Sequence, residues 1–155
     1  MTEMTREEEI GLINKAQMLA TVNHEGQKRS DDKDYISHPE AVAQLQESVI
    51  GKAVAWLHDI LEDTHVTEED LRKEFPSDVV DLVVLLTKKK DESYLSYILR
   101  IRDSNNILAI DLKLSDIKHN LSDLNVGSRR DKYEFAQYIL ATKCNELFPD
   151  KRKLK

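Results

Sequence analysis

The chain has 155 residues, 40% of them apolar and 34% charged, with a formal net charge of −6. That balance excludes a disordered chain, and no apolar run reaches bilayer length, because Asp81 interrupts the longest, VVDLVVLLT at 79–87. The acidic total argues against a nucleic-acid backbone as the main partner, while a small phosphorylated ligand needs only a few local cations. Cys144 is the single cysteine, which excludes an intrachain disulfide. With an acidic start, MTEMTREEE, that lacks the order of a signal peptide, this points to a cytoplasmic protein without membrane partners.

In chain order, Thr5 and Glu8 form a capping box that predicts a first helix to about His24. HPEAVAQLQ opens a second, with Pro39 in its first turn, and a third is expected from about Val49 to Thr64. Thr67 and Asp70 repeat the capping pattern and open a short helix to about Phe75, after which Pro76-Ser77 starts another that ends near Thr87. The 79–87 run has the length of a buried strand too, but no partner strand is in sight, so helix is expected. A helix from Asp91 or Ser93 to about Arg102, one from Ser104, and a last one from about Arg129 to Leu147 after Gly127 complete the chain. No repeat or linker appears. The expectation is one all-α domain over residues 1–150 with a frayed tail at 151–155.

Two of these helices carry chemistry. Around 49–64, Ile50, Ala53, Val54, Leu57 and Leu61 make an apolar stripe, with His58, Glu62 and Asp63 on the other side and Asp59 one residue round. Acids at a helix C-terminus oppose the macrodipole and ask for compensation. In the helix from Ser104, Ile107, Ile110, Leu114, Ile117, Leu121 and Leu124 form a stripe, while Asp116, Asn120 and Asp123 share another face with Lys113 one turn earlier. The apolar setting of Asp116 implies burial, and a buried carboxylate needs a partner, for which a metal ion qualifies. His38, His58, Asp59 and Asp116 would make a mixed nitrogen and oxygen shell suited to an octahedral ion such as Mn²⁺, with positions open for water. Glu62 or Asp63 would then orient that water or protonate a leaving oxygen. No Gly-rich phosphate loop, G-x-S-x-G or cysteine nucleophile competes, which leaves metal-assisted hydrolysis.

The pieces HEGQKR, YISHPEAVA, AWLHDILEDT, VTEEDLRKEF, LTK and KLSDIKHNLSDL, spread over about 16–124, resemble the HD-domain phosphohydrolases. The likeness is to the hydrolase half of the RelA/SpoT alarmone enzymes and to the small alarmone hydrolases. It implies an all-α HD fold and a Mn²⁺-dependent pyrophosphohydrolase that cleaves guanosine tetra- or pentaphosphate at the 3′ position. The resemblance makes His38, His58, Asp59 and Asp116 the metal ligands and Glu62 and Asp63 the pair that serves the water. It sets Arg29 over the purine base and Asn120 on the sugar, with Lys113, Arg129 and Tyr133 as further substrate contacts. The chain ends before a synthetase domain would begin, so alarmone synthesis is not expected.

Departures touch the substrate side. Ser30 stands where the family often has a second basic residue, and Ser115-Asp116-Ile117 replaces the usual ADR or ADL. Hence another phosphorylated nucleotide (an adenine alarmone, NADPH or a nucleoside monophosphate) stays open, as do an antitoxin-type pairing with a small alarmone synthetase and self-association. A retired, non-catalytic sensor would be expected to have lost Glu62 or Asp63, and both are present.

Overall fold

In the computed structural model the described residues are 3–123 and 127–149; Leu124 and the tail at 151–155 lie outside them. Nine α-helices and no strand stand among the described residues, apart from one isolated antiparallel bridge between Lys28 and Asp34. None of the described helices is long and apolar enough to cross a membrane. The all-α expectation holds. The chain divides into two compact units, Met1–Thr87 and Lys88–Lys155.

The first unit is built round a central helix. α1 (Arg6–Asn23) opens with the Thr5–Glu8 capping box and buries Leu12, Ala16 and Ala20. α2 (Ser37–Gln44) places Pro39 in its first turn, where the missing N–H costs nothing. α3 (Val49–Leu57) starts at Ser48, whose side chain accepts from the Gly51 amide. Both α1 and α2 pack on α3, and α6 (Ser77–Leu85) packs on it too. That enclosure corrects the expected stripe. Ala53, Val54, Ala55, Trp56 and Leu57 are all buried in succession, while Ile50 and Leu61 are only half-buried. A helix covered from several sides is apolar all round, so its pattern is a run and not a stripe.

α3 also ends sooner than expected. The helix anticipated to Thr64 breaks at His58 and Asp59 and resumes as α4 (Ile60–Asp63). α5 (Glu68–Glu74) then opens on the Thr67–Asp70 capping box and packs against α6, which is helix, as expected, and not strand. Between α1 and α2 the chain makes a compact loop with left-handed turns at Gly26 (φ 80°) and Asp32 (φ 67°).

The second unit holds α7 (Tyr94–Asp103), α8 (Ile107–Ser122) and α9 (Ser128–Leu147), each packed on the other two. Ser104, expected to open α8, instead closes α7, and the Asn106 side chain caps α8 by accepting from the Ala109 amide. The buried face of α8 is Ala109, Ile110, Leu112, Lys113, Asp116 and Ile117, with Ile107, Leu114 and Leu121 half-buried. Lys113 and Asp116 therefore lie on the core side of this helix, not across from it.

Candidate metal centre

The break between α3 and α4 is what builds the site. Along an unbroken helix two successive side chains diverge by about 100°. Here His58 and Asp59 fall between α3 and α4, with Asp59 (φ −103°, ψ 0°) at the loose edge of the helical region, so the regular step of about 100° does not apply to this pair. The result is that His58 Nε2 lies 3.0 Å from Asp59 Oδ2. From the first turn of α2, His38 brings its Nε2 to 3.3 Å from His58 Nε2 and 3.7 Å from Asp59 Oδ2. Both histidines are buried, at 2% and 4% exposure, so this is an interior cluster and not a chance surface group.

The hydrogen bonds say where the His58 proton sits. His58 Nδ1 lies 2.6 Å from the Ala55 carbonyl, which can only accept, so in the neutral ring the proton is on Nδ1 and Nε2 keeps its lone pair. That lone pair faces another imidazole nitrogen and a carboxylate oxygen, an arrangement that repels unless a proton or cation sits among them. One ligand atom each from His38, His58 and Asp59 lies within 4.8 Å of the other two. Two imidazole nitrogens and a carboxylate oxygen, with the outer nitrogen of one ring held by a backbone carbonyl, fit a divalent cation.

Tyr35, three residues before His38, was not singled out by the sequence, yet its hydroxyl donates to Asp59 Oδ2 at 2.6 Å and reaches Asp63 Oδ2 at 3.2 Å. Its ring sits edge-on to His38, with centroids 6.0 Å apart. Glu62 and Asp63 stand on α4 with their residues open to solvent. The Asp63 carboxyl is nevertheless hemmed in. Burial, and then the Asp59 charge, push its pKa above the usual range, against the lowering effect of the Tyr35 hydrogen bond and of His24 and His58. Arg29 belongs to the same unit, half-buried in the α1–α2 loop, where its backbone amide donates to the Lys33 carbonyl.

The second unit gathers the remaining candidates. Asp116 accepts from Lys113 Nζ at 2.6 Å and from Asn120 Nδ2 at 3.1 Å, so its buried charge has partners within its own helix. Burial would lower the Lys113 pKa, but Asp116, with Tyr97 and Tyr94, outweighs it and holds the ammonium well above the usual lysine range. Lys113 Nζ also lies over the Tyr97 ring at 4.9 Å, and Tyr94 meets both Tyr97 and Tyr133 edge-on at 5.9 Å. Lys132 lies over Tyr94 at 4.4 Å, and Arg129 is exposed nearby on the same helix. Tyr94 and Tyr97 escaped the sequence reading because Tyr97 looks like ordinary core and Tyr94 like an ordinary helix start.

Because Lys113 and Asp116 are both buried, Lys113→Ala is expected to destabilise by about 3–5 kcal/mol, the cost of stranding a buried charge. Urea denaturation measures it, and Lys113→Met with Asp116→Leu should recover most of the loss.

Among curated proteins, the chain is 37% identical over 128 residues to guanosine-3′,5′-bis(diphosphate) 3′-pyrophosphohydrolase of Haemophilus influenzae. It is 35% identical over 138 residues to GTP pyrophosphokinase rsh of Brucella melitensis and 32% over 139 to bifunctional (p)ppGpp synthase/hydrolase SpoT of Escherichia coli. These matches take in 73%, 78% and 80% of the chain but only 18%, 18% and 19% of those proteins, so the chain corresponds to about a fifth of each. A solved structure of a metazoan orthologue of SpoT, described as hydrolysing ppGpp, aligns with a TM-score of 0.71 at 23% identity, covering 97% of this chain and 98% of that one. The HD domain family model matches residues 16–110, more than half of the chain, and this span holds His38, His58 and Asp59. With its fold, its ion-binding cluster and that match in agreement, the chain belongs to the HD domain family.

Proposed function

We propose that this chain is a metal-dependent pyrophosphohydrolase that removes the 3′-diphosphate of guanosine tetra- or pentaphosphate, that Mn²⁺ is its ion, and that it works in the cytoplasm as one HD domain over 1–150. The observation that carries the reading is the meeting of His38 Nε2, His58 Nε2 and Asp59 Oδ2 at the start of the short helix that carries Glu62 and Asp63. Relatives named for that hydrolysis support it. The resemblance adds Asp116 as a fourth ligand on the strength of the KLSDIKHN motif.

When bound, the ion supplies Lewis-acid chemistry, making water more acidic and offsetting charge on phosphoryl oxygens. The rest falls to the protein. Tyr35 holds the Asp59 carboxylate in its ligating orientation through the 2.6 Å hydrogen bond. Glu62, open to solvent, orients the attacking water and takes its proton. Asp63, whose carboxylate shares the Tyr35 hydroxyl with Asp59, gives a proton to the 3′ oxygen as the bond from that oxygen to phosphorus breaks. The water oxygen ends on the departing pyrophosphate, and the nucleoside 3′ hydroxyl is restored. Arg29 is proposed on the base, Asn120 on the sugar, and Lys113, Arg129 and Tyr133 on the phosphates.

Product analysis tests this. Guanosine tetraphosphate with Mn²⁺ should give GDP and pyrophosphate in equal amounts. Orthophosphate as the product would place the chain among HD phosphomonoesterases. Turnover confined to an adenine alarmone or NADPH would keep the site and change the base, in line with Ser30 at a position often basic in the family.

A further inference from the structure

His24 ends α1 at 2% exposure, yet it carries a buried nitrogen, Nε2, with no hydrogen-bond partner. Its other nitrogen is fully engaged. Nδ1 lies 2.8 Å from Gln27 Oε1, and Gln27 Nε2 donates at 2.7 Å to the backbone carbonyl of Asp63, the last residue of α4. These bonds fix each other's direction. The Asp63 carbonyl can only accept, so the Gln27 amide must present its nitrogen there and its oxygen to His24. His24 must therefore donate from Nδ1, and in the neutral ring Nε2 is left as a bare, buried lone pair. The same ring lies against Tyr35, with centroids 5.0 Å apart and planes tilted by 35°, and Tyr35 is the residue that reaches both Asp59 and Asp63. The Tyr35 amide donates to the Gln27 carbonyl at 2.9 Å, which closes the loop between the two.

We propose that His24 and Gln27 form a brace that positions the reacting carboxylates, fixing the end of α4 through the Asp63 carbonyl and the Tyr35 hydroxyl through ring contact. A residue present only for packing would not be expected to strand a polar atom in the interior, since an apolar ring fills the same space without that loss. The hydrogen bonds and ring contact of this pair run to Asp63 and Tyr35, so His24 and Gln27 are positioning residues whose effect passes through those two. The inference rests on the hydrolase reading for its consequence, though not for its geometry.

Two variants of His24 separate the roles. His24→Phe keeps a ring against Tyr35 and removes both nitrogens; His24→Asn loses the ring and keeps an N–H donor near the place of Nδ1. The brace requires kcat of the Phe variant to fall about 10- to 100-fold with KM unchanged, its melting temperature staying at or above that of the native chain, and the Asn variant to recover much of the loss. Nitrogen NMR of the metal-free native protein, at alkaline pH where imidazole is neutral, should show the His24 proton on Nδ1, with the preference abolished in Gln27→Leu. Full activity in His24→Phe, an Asn variant worse than the Phe variant, or a proton on Nε2 would each overturn the proposal. If the native protein turns over no phosphorylated nucleotide, the hydrolase reading fails, and the NMR result still decides whether the brace exists.

Discussion

Asp59→Ala is expected to abolish metal binding and turnover together. Loss of a partner that merely orients a ligand typically costs 10- to 100-fold in affinity or activity, so loss of a ligand itself should exceed about 100-fold. The carboxylate supplies the only oxygen in the three-residue cluster and balances part of the ion's charge, and what remains is two imidazole nitrogens 3.3 Å apart. Calorimetric titration with Mn²⁺ reads the first loss and product release the second. The variant has a further consequence in the metal-free protein. The Asp59 charge is one cause of the raised Asp63 pKa, so removing it should bring Asp63 down toward the ordinary carboxylate range, as carboxyl-carbon NMR would show. His38→Ala and His58→Ala should match Asp59→Ala in activity and leave the Asp59 contribution to Asp63 in place.

Glu62→Gln and Asp63→Asn are expected to split binding from chemistry: Mn²⁺ still binds, while kcat falls by about 10²–10⁴-fold, the usual worth of a placed acid or base. Asp63→Asn should also alter stability in the opposite sense to activity. Burial and the Asp59 charge raise the folded-state pKa of Asp63 above its unfolded value, so the native state binds this proton more tightly than the unfolded chain does. Its contribution is fully present below the unfolded pKa and is lost as pH rises through the folded one. Above the folded pKa the ionised group therefore favours unfolding. The metal-free Asp63→Asn protein should melt above the native protein in that range, with the gap closing in acid, and bound Mn²⁺ should narrow it by offsetting the paired charges. A thermal melt at several pH values, with and without ion, gives the answer. A variant that is less active and less stable would mark Asp63 as a structural residue.

Local chemistry made most of the helices legible. The capping boxes at Thr5–Glu8 and Thr67–Asp70 form as their spacing implies, because the bonds that make them are between residues three apart. What escaped was tertiary. The break at His58-Asp59 leaves no mark in the sequence, since the apolar residues around it keep helical spacing through Leu61, yet it falls at the two residues whose side chains meet that of His38. The burial of α3 on several sides depends on α1, α2 and α6, which the residues of α3 cannot announce. The burial of Asp116 was legible in its apolar setting; that Lys113, three residues earlier, is buried with it and pairs with its carboxylate was not. Tyr35 and His24 lay inside a stretch quoted for its motif, but only the loop between α1 and α2 brings the phenol and the Gln27 amide onto the end of α4.

The most direct test is an activity titration of metal-stripped protein with Mn²⁺ against guanosine tetraphosphate, run beside Asp59→Ala. Turnover should rise from nothing and saturate at one ion per chain in the native protein, and stay at the baseline in the variant. Turnover by Asp59→Ala, or by the stripped native protein, would contradict the assignment of His38, His58 and Asp59 to the ion that hydrolysis requires.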